Sequence, residues 1–289
     1  MGIHFPSWRI ILCVLLVLVF AKGSSSRKTC DSPLKEAAGD LTANSKDSHL
    51  LIKNVIDHQM QHMDPSDHVF FTVDDLKAGR KIPIYFPYKN HSASPRLLSR
   101  EEANSIPFSL TQLPYLLELF SISKDSPQAK AMEYTLRHCD VKTTERETKM
   151  CAASLESVLD FVCATFGLDT QFKALTTNYL TNPVTQLQNY TILEDPKEIL
   201  PEKIVGCHAM PYPYVVYYCH RAEGRDRLFE MLLGGEDGER VQAPGICHMD
   251  TSKWDRDHVS FRVLKMEPGT SPVCHFFPAN NLVWVPLSA

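Results

Sequence analysis

Four of the nine cysteines in this 289-residue chain are followed directly by histidine: Cys207-His208, Cys219-His220, Cys247-His248 and Cys274-His275. Nine cysteines and twelve histidines would place about 0.4 such dipeptides in the chain by chance, so four form a pattern. The intervals between them are ten, 26 and 25 residues, and Trp284 follows after eight more. Successive side chains on a strand point to opposite faces. A Cys-His dipeptide in a strand therefore sends its thiol one way and its imidazole the other.

Whether those thiols can oxidise depends on the compartment. Met1–Arg9 is mildly basic, Ile10–Ala21 is an unbroken apolar run, and Ala21, Gly23 and Ser24 are small. This is the pattern of a secretory signal peptide over 1–23, too short for a membrane anchor. Its removal takes Cys13 and leaves eight cysteines, an even number in an oxidising route where disulfides persist. Without Arg9 and Lys22, the 30 basic residues become 28 against 34 acidic, a net charge of −6. That balance excludes a strongly basic nucleic-acid binder. The sequons Asn90-His91-Ser92 and Asn189-Tyr190-Thr191 are candidate glycosylation sites. The expected destination is the cell exterior, the wall or a vacuole.

Residues 24–67 are polar and lack any aromatic residue, which predicts a flexible or weakly helical leader, with Leu50–Met63 its best helical piece. Composition changes at His68. Val69–Val73 is strand-like, Leu76–Arg80 reads as a turn, and Ile82–Pro87 is extended because two prolines forbid a helix interior. Cys151, Leu155, Val158, Leu159, Val162 and Cys163 follow helical spacing up to a stop at Gly167, and Leu116–Phe120 suggests another short helix. From Ile204 onward the pattern is β-rich, with Val215–Tyr218, Val259–Met266 and Leu282–Val285 read as strands between Gly- and Pro-marked turns. The prediction is one α+β domain over 68–289, helix-bearing first and mostly antiparallel strand afterwards.

The chain has no Gly-rich phosphate loop, no Gly-x-Ser-x-Gly elbow, no His-Glu-x-x-His and no Cys-x-x-Cys. The common nucleotide, hydrolase, zincin and thioredoxin signatures are therefore missing.

The spaced Cys-His dipeptides, the Trp eight residues after the last, the Phe70-Phe71 opening and two earlier cysteines, Cys139 and Cys151, resemble the plant BURP domain. Ile106-Pro107-Phe108-Ser109 and Ser126-Pro127-Gln128-Ala129 add to the likeness, which covers 222 residues from His68 to Ala289. The short repeat-free leader resembles compact seed- and microspore-associated members. If Cys207 and Cys219 face each other across a hairpin, a disulfide can join them on one face. His208 and His220 then become diagonal neighbours on the other, about 7–8 Å apart at the backbone. The same parity holds for Cys247 with Cys274, and places His248 beside His275. Six cysteines permit fifteen pairings, so the connectivity stays open here. Family members that act as peptide cyclases hold copper through these histidines. The resemblance thus implies copper at His208, His220, His248 and His275, and imidazole donors suit that metal.

Cys139, Cys151, Cys207, Cys219, Cys247 and Cys274 are read as a structural disulfide framework. Cys163, on the apolar helix face, reads as a buried thiol, and Cys30 as free or paired with Cys163. Trp284 reads as a core or rim anchor that could also shield a metal. The leader cluster Asp57, His58, His62, Asp64, Asp67 and His68 contains an i, i+4 histidine pair but gathers such residues readily by chance. Family cyclases that modify themselves carry a Trp or Tyr before the domain, and residues 24–84 contain neither. The expectation is a secreted, non-catalytic protein of the apoplast, wall or storage vacuole, in seed or reproductive development or stress response. Its partners would be wall components or a peptide. The alternative is a copper-dependent cyclase acting on a separate peptide. A regulatory role toward a wall polysaccharide hydrolase ranks last, since that branch carries a long repeat leader.

Overall fold

A computed structural model describes residues 68–87, 95–140, 147–181, 185–222 and 226–287. The signal peptide, the leader with Cys30 and its His/Asp cluster up to Asp67, and the sequon residue Asn90 lie outside the described residues. The protein is α+β, as its sequence predicts. Its helices come first: α1 (Arg100–Ser105), α2 (Leu113–Leu119), α3 (Pro127–Asp140) and α4 (Leu155–Phe166), with α5 (Val259–Leu264) late in the chain. Among the described residues no helix is long and apolar enough to cross a membrane.

The strands build two antiparallel sheets. The five-stranded sheet runs β3 (Glu147–Ala152), β9 (Val216–Ala222), β8 (Val205–Met210), β13 (Leu282–Pro286), β4 (Phe172–Leu175). The eight-stranded sheet runs β1 (Phe70–Phe71), β12 (Val273–Phe276), β11 (Arg240–His248), β10 (Arg227–Gly235), β6 (Leu187–Ile192), β2 (Lys81–Tyr85). Beside that path, β5 (Asn178–Tyr179) pairs with β11 and β7 (Lys197–Ile199) with β10. Pro83 sits on β2 at the sheet edge, where its missing N–H leaves no gap in a ladder.

Local signals explain most helix boundaries. Ser99 and Glu102 close a capping box on α1. Ser126 Oγ accepts the Ala129 N–H at 3.1 Å and Pro127 occupies the first helical position of α3, where its lack of a donor costs nothing. Ser154 caps α4 by accepting from Ser157 N, and Gly167 ends it at φ 104°, which a side chain would resist. The helix therefore begins after Cys151, which belongs to β3 and not to the helical stripe. The Val69–Val73 strand is also shorter than expected, because Val73–Asp75 turn into a 3-10 helix.

Val259–Leu264 is helical and not a strand. Its apolar residues Val259, Phe261 and Val263 alternate as they would on a strand, but His258 Nδ1 accepts the Ser260 N–H at 3.3 Å and starts a helical turn. Lys265 then closes α5 in the left-handed region at φ 53°.

The core falls into layers. The buried face of α4, Val158, Phe161, Val162 and Phe166, packs with Val205, Cys207, Cys219 and Trp284 on one side of the five-stranded sheet. Phe71, Ile84, Tyr190, Met231, Cys247, Cys274 and Phe276 form the core of the eight-stranded sheet. Leu228, Ile246, Phe277, Val283 and Val285 fill the seam where the two sheets meet. Trp284 is 7 % exposed and packs edge-on to Phe172, so it belongs to the α4 core and does not shield the histidines.

Candidate metal centre of paired histidines

Strand parity delivers the histidines. Cys207 lies opposite Cys219 in the β8–β9 register and Cys247 opposite Cys274 in the β11–β12 register. Both pairs are disulfides, with Cα atoms 4.0 and 3.9 Å apart. A third disulfide, Cys139–Cys151, ties the end of α3 to β3. Cys163 is also disulfide-bonded, which corrects its reading as a buried thiol. The two buried staples point into the α4 core and the eight-stranded core respectively. Their histidines point the other way, toward the seam.

His208 lies opposite Tyr218 and His220 opposite Gly206, so the two rings are diagonal neighbours as parity requires. Gly206 leaves room there: a Cβ would come within 3.6 Å of His220 Nε2 and 3.4 Å of the Phe277 ring. The rings stack at 5.4 Å between centroids and bring their Nε2 atoms to 3.3 Å. His248 and His275 repeat this geometry, with a centroid separation of 5.4 Å and Nε2 atoms 3.3 Å apart. The two pairs also meet each other. His208 is 5.5 Å from His275 and His220 is 6.4 Å from His248, centroid to centroid. All four predicted histidines thus form one cluster, floored by Phe277, which packs on His208 at 5.2 Å and on His275 at 4.9 Å. Among the described residues no three His, Cys, Asp or Glu side chains close around a single point as a finished metal shell. The arrangement is two two-imidazole clips side by side.

A family model for the BURP domain matches residues 69–286. The chain belongs to the BURP domain family. It is 46 % identical to BURP domain protein USPL1 of Arabidopsis thaliana over 289 residues, covering 96 % of this chain and 98 % of that protein. BURP domain-containing protein BNM2A of Brassica napus is 51 % identical over 227 residues, with 77 % of this chain and 80 % of the relative covered. BURP domain protein RD22 of Arabidopsis thaliana is 35 % identical over 225 residues, covering 77 % of this chain and 57 % of its own length.

Within this BURP domain the clips are held from behind. His248 Nδ1 lies 3.1 Å from Asp226 Oδ2 and His275 Nδ1 lies 3.3 Å from the Phe276 carbonyl. His208 Nδ1 faces Asn281 Nδ2 at 3.4 Å. Burial is the largest influence on His208 and His275, followed by their neighbours' imidazoles. It drives His208 well below its ordinary value of 6.5, with His220, His275, His248 and His138 adding to the effect. His275 is pushed down to about 3 by burial and His248, against an opposing pull from the Phe276 carbonyl. Both rings are therefore neutral at physiological pH, the form in which imidazole binds metals.

An outer ring of aromatic and titratable groups surrounds the cluster. Trp254 packs edge-on to His248 at 5.0 Å and lies 4.7 Å from His258. Burial, reinforced by His248, lowers the His258 pKa. Tyr218 lies between His220, at 5.5 Å, and His138, at 4.6 Å. Sequence reasoning missed Asp226, Asn281, Trp254, His258 and His138. For His138 a faint signal exists, since it directly precedes Cys139, the reverse of the Cys-His order. Asp226 stands in a mixed-charge stretch of sequence with no distinguishing pattern. The sequon residue Asn189 lies away from the cluster, exposed on β6, with its Nδ2 donating to Glu236 at 3.2 Å.

Proposed function

We propose that this chain is a secreted plant protein of the apoplast, cell wall or storage vacuole, acting in seed or reproductive development or in stress response. It holds copper through His208, His220, His248 and His275 and does not itself catalyse a reaction. The observation that carries the metal reading is the 3.3 Å separation of Nε2 atoms in both clips. Two nitrogens each about 2.0–2.1 Å from one metal stand about 3.3–3.4 Å apart at a tetrahedral angle and about 2.8–3.0 Å apart at the square-planar angle copper(II) prefers, so each clip lies within about half an ångström of the spacing a shared ion needs. Neutral imidazoles rank copper(II) highest among the divalent first-row metals. Stapling the strands behind each clip fixes the separation before any ion arrives, which lowers the ordering cost of binding.

Bound copper supplies one-electron chemistry with dioxygen, the chemistry an oxidative peptide cyclase would draw on. The chain's own contribution is to orient the four imidazoles, keep His208 and His275 neutral and exclude water with Phe277 and Trp254. The leader offers no Trp or Tyr to crosslink, and this supports the non-catalytic reading.

The test is metal content of the oxidised mature protein after copper loading and desalting, with at least one copper per chain expected. Trp254, 5.0 Å from His248, serves as an internal reporter. Copper is expected to quench its emission, and Trp254→Phe to remove that response while Trp284 stays bright. Failure to retain copper would sink the proposal. A loss of two hydrogens from added Trp- or Tyr-containing peptides under air would replace it with the cyclase alternative.

A further inference from the structure

The two clips share a distance and differ in their hydrogen bonds. Asn281 Oδ1 accepts the Ala209 N–H at 2.8 Å, which fixes the amide and aims its Nδ2 at His208 Nδ1, 3.4 Å away. His208 Nδ1 is then an acceptor, so the ring proton sits on Nε2. That Nε2–H donates to His220 Nε2 across 3.3 Å, and this clip is a completed hydrogen bond.

The other clip is arranged in the opposite sense. Asp226 is a carboxylate and can only accept, so His248 carries its proton on Nδ1, 3.1 Å from Oδ2. The Phe276 carbonyl makes the same demand on His275 Nδ1 at 3.3 Å. Both Nε2 atoms of this clip are left with bare lone pairs, facing each other 3.3 Å apart. His248 is 5 % exposed and His275 8 %, so water has little access to separate them. Two facing lone pairs repel, and a cation between them turns the repulsion into two bonds. A histidine whose other nitrogen donates to a carboxylate or a carbonyl is the usual form of a metal ligand.

We infer that His248 and His275 form the clip that takes a divalent cation first, with Asp226 as the positioning residue that holds His248 in the binding tautomer. Asn281 holds the His208–His220 clip closed by keeping a proton between its rings. This rests on the reading that the histidine cluster binds metal, and it adds an order of loading and an outer residue that the Cys-His pattern does not contain.

Two measurements on the full oxidised mature chain test it. In the first, long-range proton–nitrogen correlation on the metal-free protein reads each histidine's tautomer. His248 and His275 are expected protonated on Nδ1 and His208 on Nε2; a proton on Nε2 of His248 or His275 overturns the inference. In the second, zinc(II) is titrated calorimetrically into wild type, Asp226→Ala, Asp226→Asn and Asn281→Ala. Asp226→Ala is expected to weaken the first binding event by roughly 10–100-fold. Asp226→Asn, whose side-chain carbonyl still accepts from Nδ1, is expected to restore part of that loss and guards against a variant that merely folds poorly. Asn281→Ala, which frees the His208–His220 clip, is expected to strengthen the later binding event several-fold and not to reproduce the loss seen in Asp226→Ala. Equal affinity in wild type and Asp226→Ala, or equal losses in Asp226→Ala and Asn281→Ala, overturns the inference and leaves the metal reading standing. No zinc binding to wild type overturns the inference, while copper retention decides the metal reading separately.

Discussion

In the five-stranded sheet the disulfide Cys207–Cys219 spans 12 residues of chain and staples a single hairpin. In the eight-stranded sheet Cys247–Cys274 spans 27, because the loop bearing Trp254 and the short helix α5 is inserted between its strands. The sulfurs of both are fully buried and both pairs of rings reach the same Nε2 separation. What differs is supplied from elsewhere. His208 and His220 are half-buried and His208 answers to Asn281, whereas His248 and His275 are buried and answer to Asp226 and a backbone carbonyl. Strand parity therefore sets where an imidazole points, and long-range packing sets which of its nitrogens is free.

The largest expected effect comes from removing the staples. In the chain-entropy account, closing these loops contributes about 3 kcal/mol for the shorter and about 3.5 kcal/mol for the longer. Replacing Cys207 and Cys219 together by Ala, or Cys247 and Cys274 together by Ala, is expected to lower the unfolding free energy by at least these amounts, since each change also thins a buried core. Denaturant unfolding checks it. If the hairpin staple proved the costlier of the two, loop length would not be the quantity that separates the sheets.

Next, reckoned per ring and per pH unit, is a dependence on pH. His208 and His275 are neutral when folded and titrate near their ordinary value of 6.5 when unfolded. Below that value the unfolded chain binds protons that the folded chain does not, so stability falls as pH drops. Each such ring contributes about 1.4 kcal/mol per pH unit until its folded pKa is reached, which for His275 is about 3. With a chelator present, unfolding free energy is expected to decline between pH 6.5 and 4. His275→Gln should flatten the slope in the eight-stranded sheet and His208→Gln in the other. A flat profile over this range would mean the rings are protonated in the folded state.

The sequence carried the parity argument in full: residues 207, 219, 247 and 274 meet sulfur to sulfur, and their following histidines share the opposite face. It carried α4 as well, apart from its start, because Cys151 happens to continue the helical spacing while Ser154 sets the cap. It failed at Val259–Leu264, where alternating Val259, Phe261 and Val263 satisfy a strand as well as a helix and the deciding cap is a histidine. It was silent on Asp226 and Asn281. Their roles arise from which strand neighbours which in the seam, a long-range outcome that no local spacing encodes.

The smallest effect compares two glycines that flank the staples. Gly206 precedes Cys207 on the histidine face of β8. A Cβ there would meet the Phe277 ring at 3.4 Å and His220 Nε2 at 3.6 Å, which are ordinary contacts. Gly245 lies two residues before Cys247 and shares its face, inside the eight-stranded core. A Cβ at that position would come within 2.5 Å of Met231 Cε and 3.1 Å of the Phe71 ring, with the His275 carbonyl at 3.5 Å. The methionine tip can swing aside, but Phe71 is buried at 1 % exposure and packs on Phe276 at 4.5 Å, so the ring has little room to follow. Gly245→Ala is therefore expected to destabilise the fold by about 1–3 kcal/mol, the usual cost of overpacking. Gly206→Ala should stay within about 0.5 kcal/mol of wild type. The two substitutions also separate stability from the site. Gly206→Ala touches the first clip and should perturb the chemical shifts of His220, whereas Gly245→Ala should leave the four imidazoles in place while lowering the denaturation midpoint. Equal destabilisation by both would show that the seam between the sheets is packed as tightly as the core beneath the Cys247–Cys274 staple.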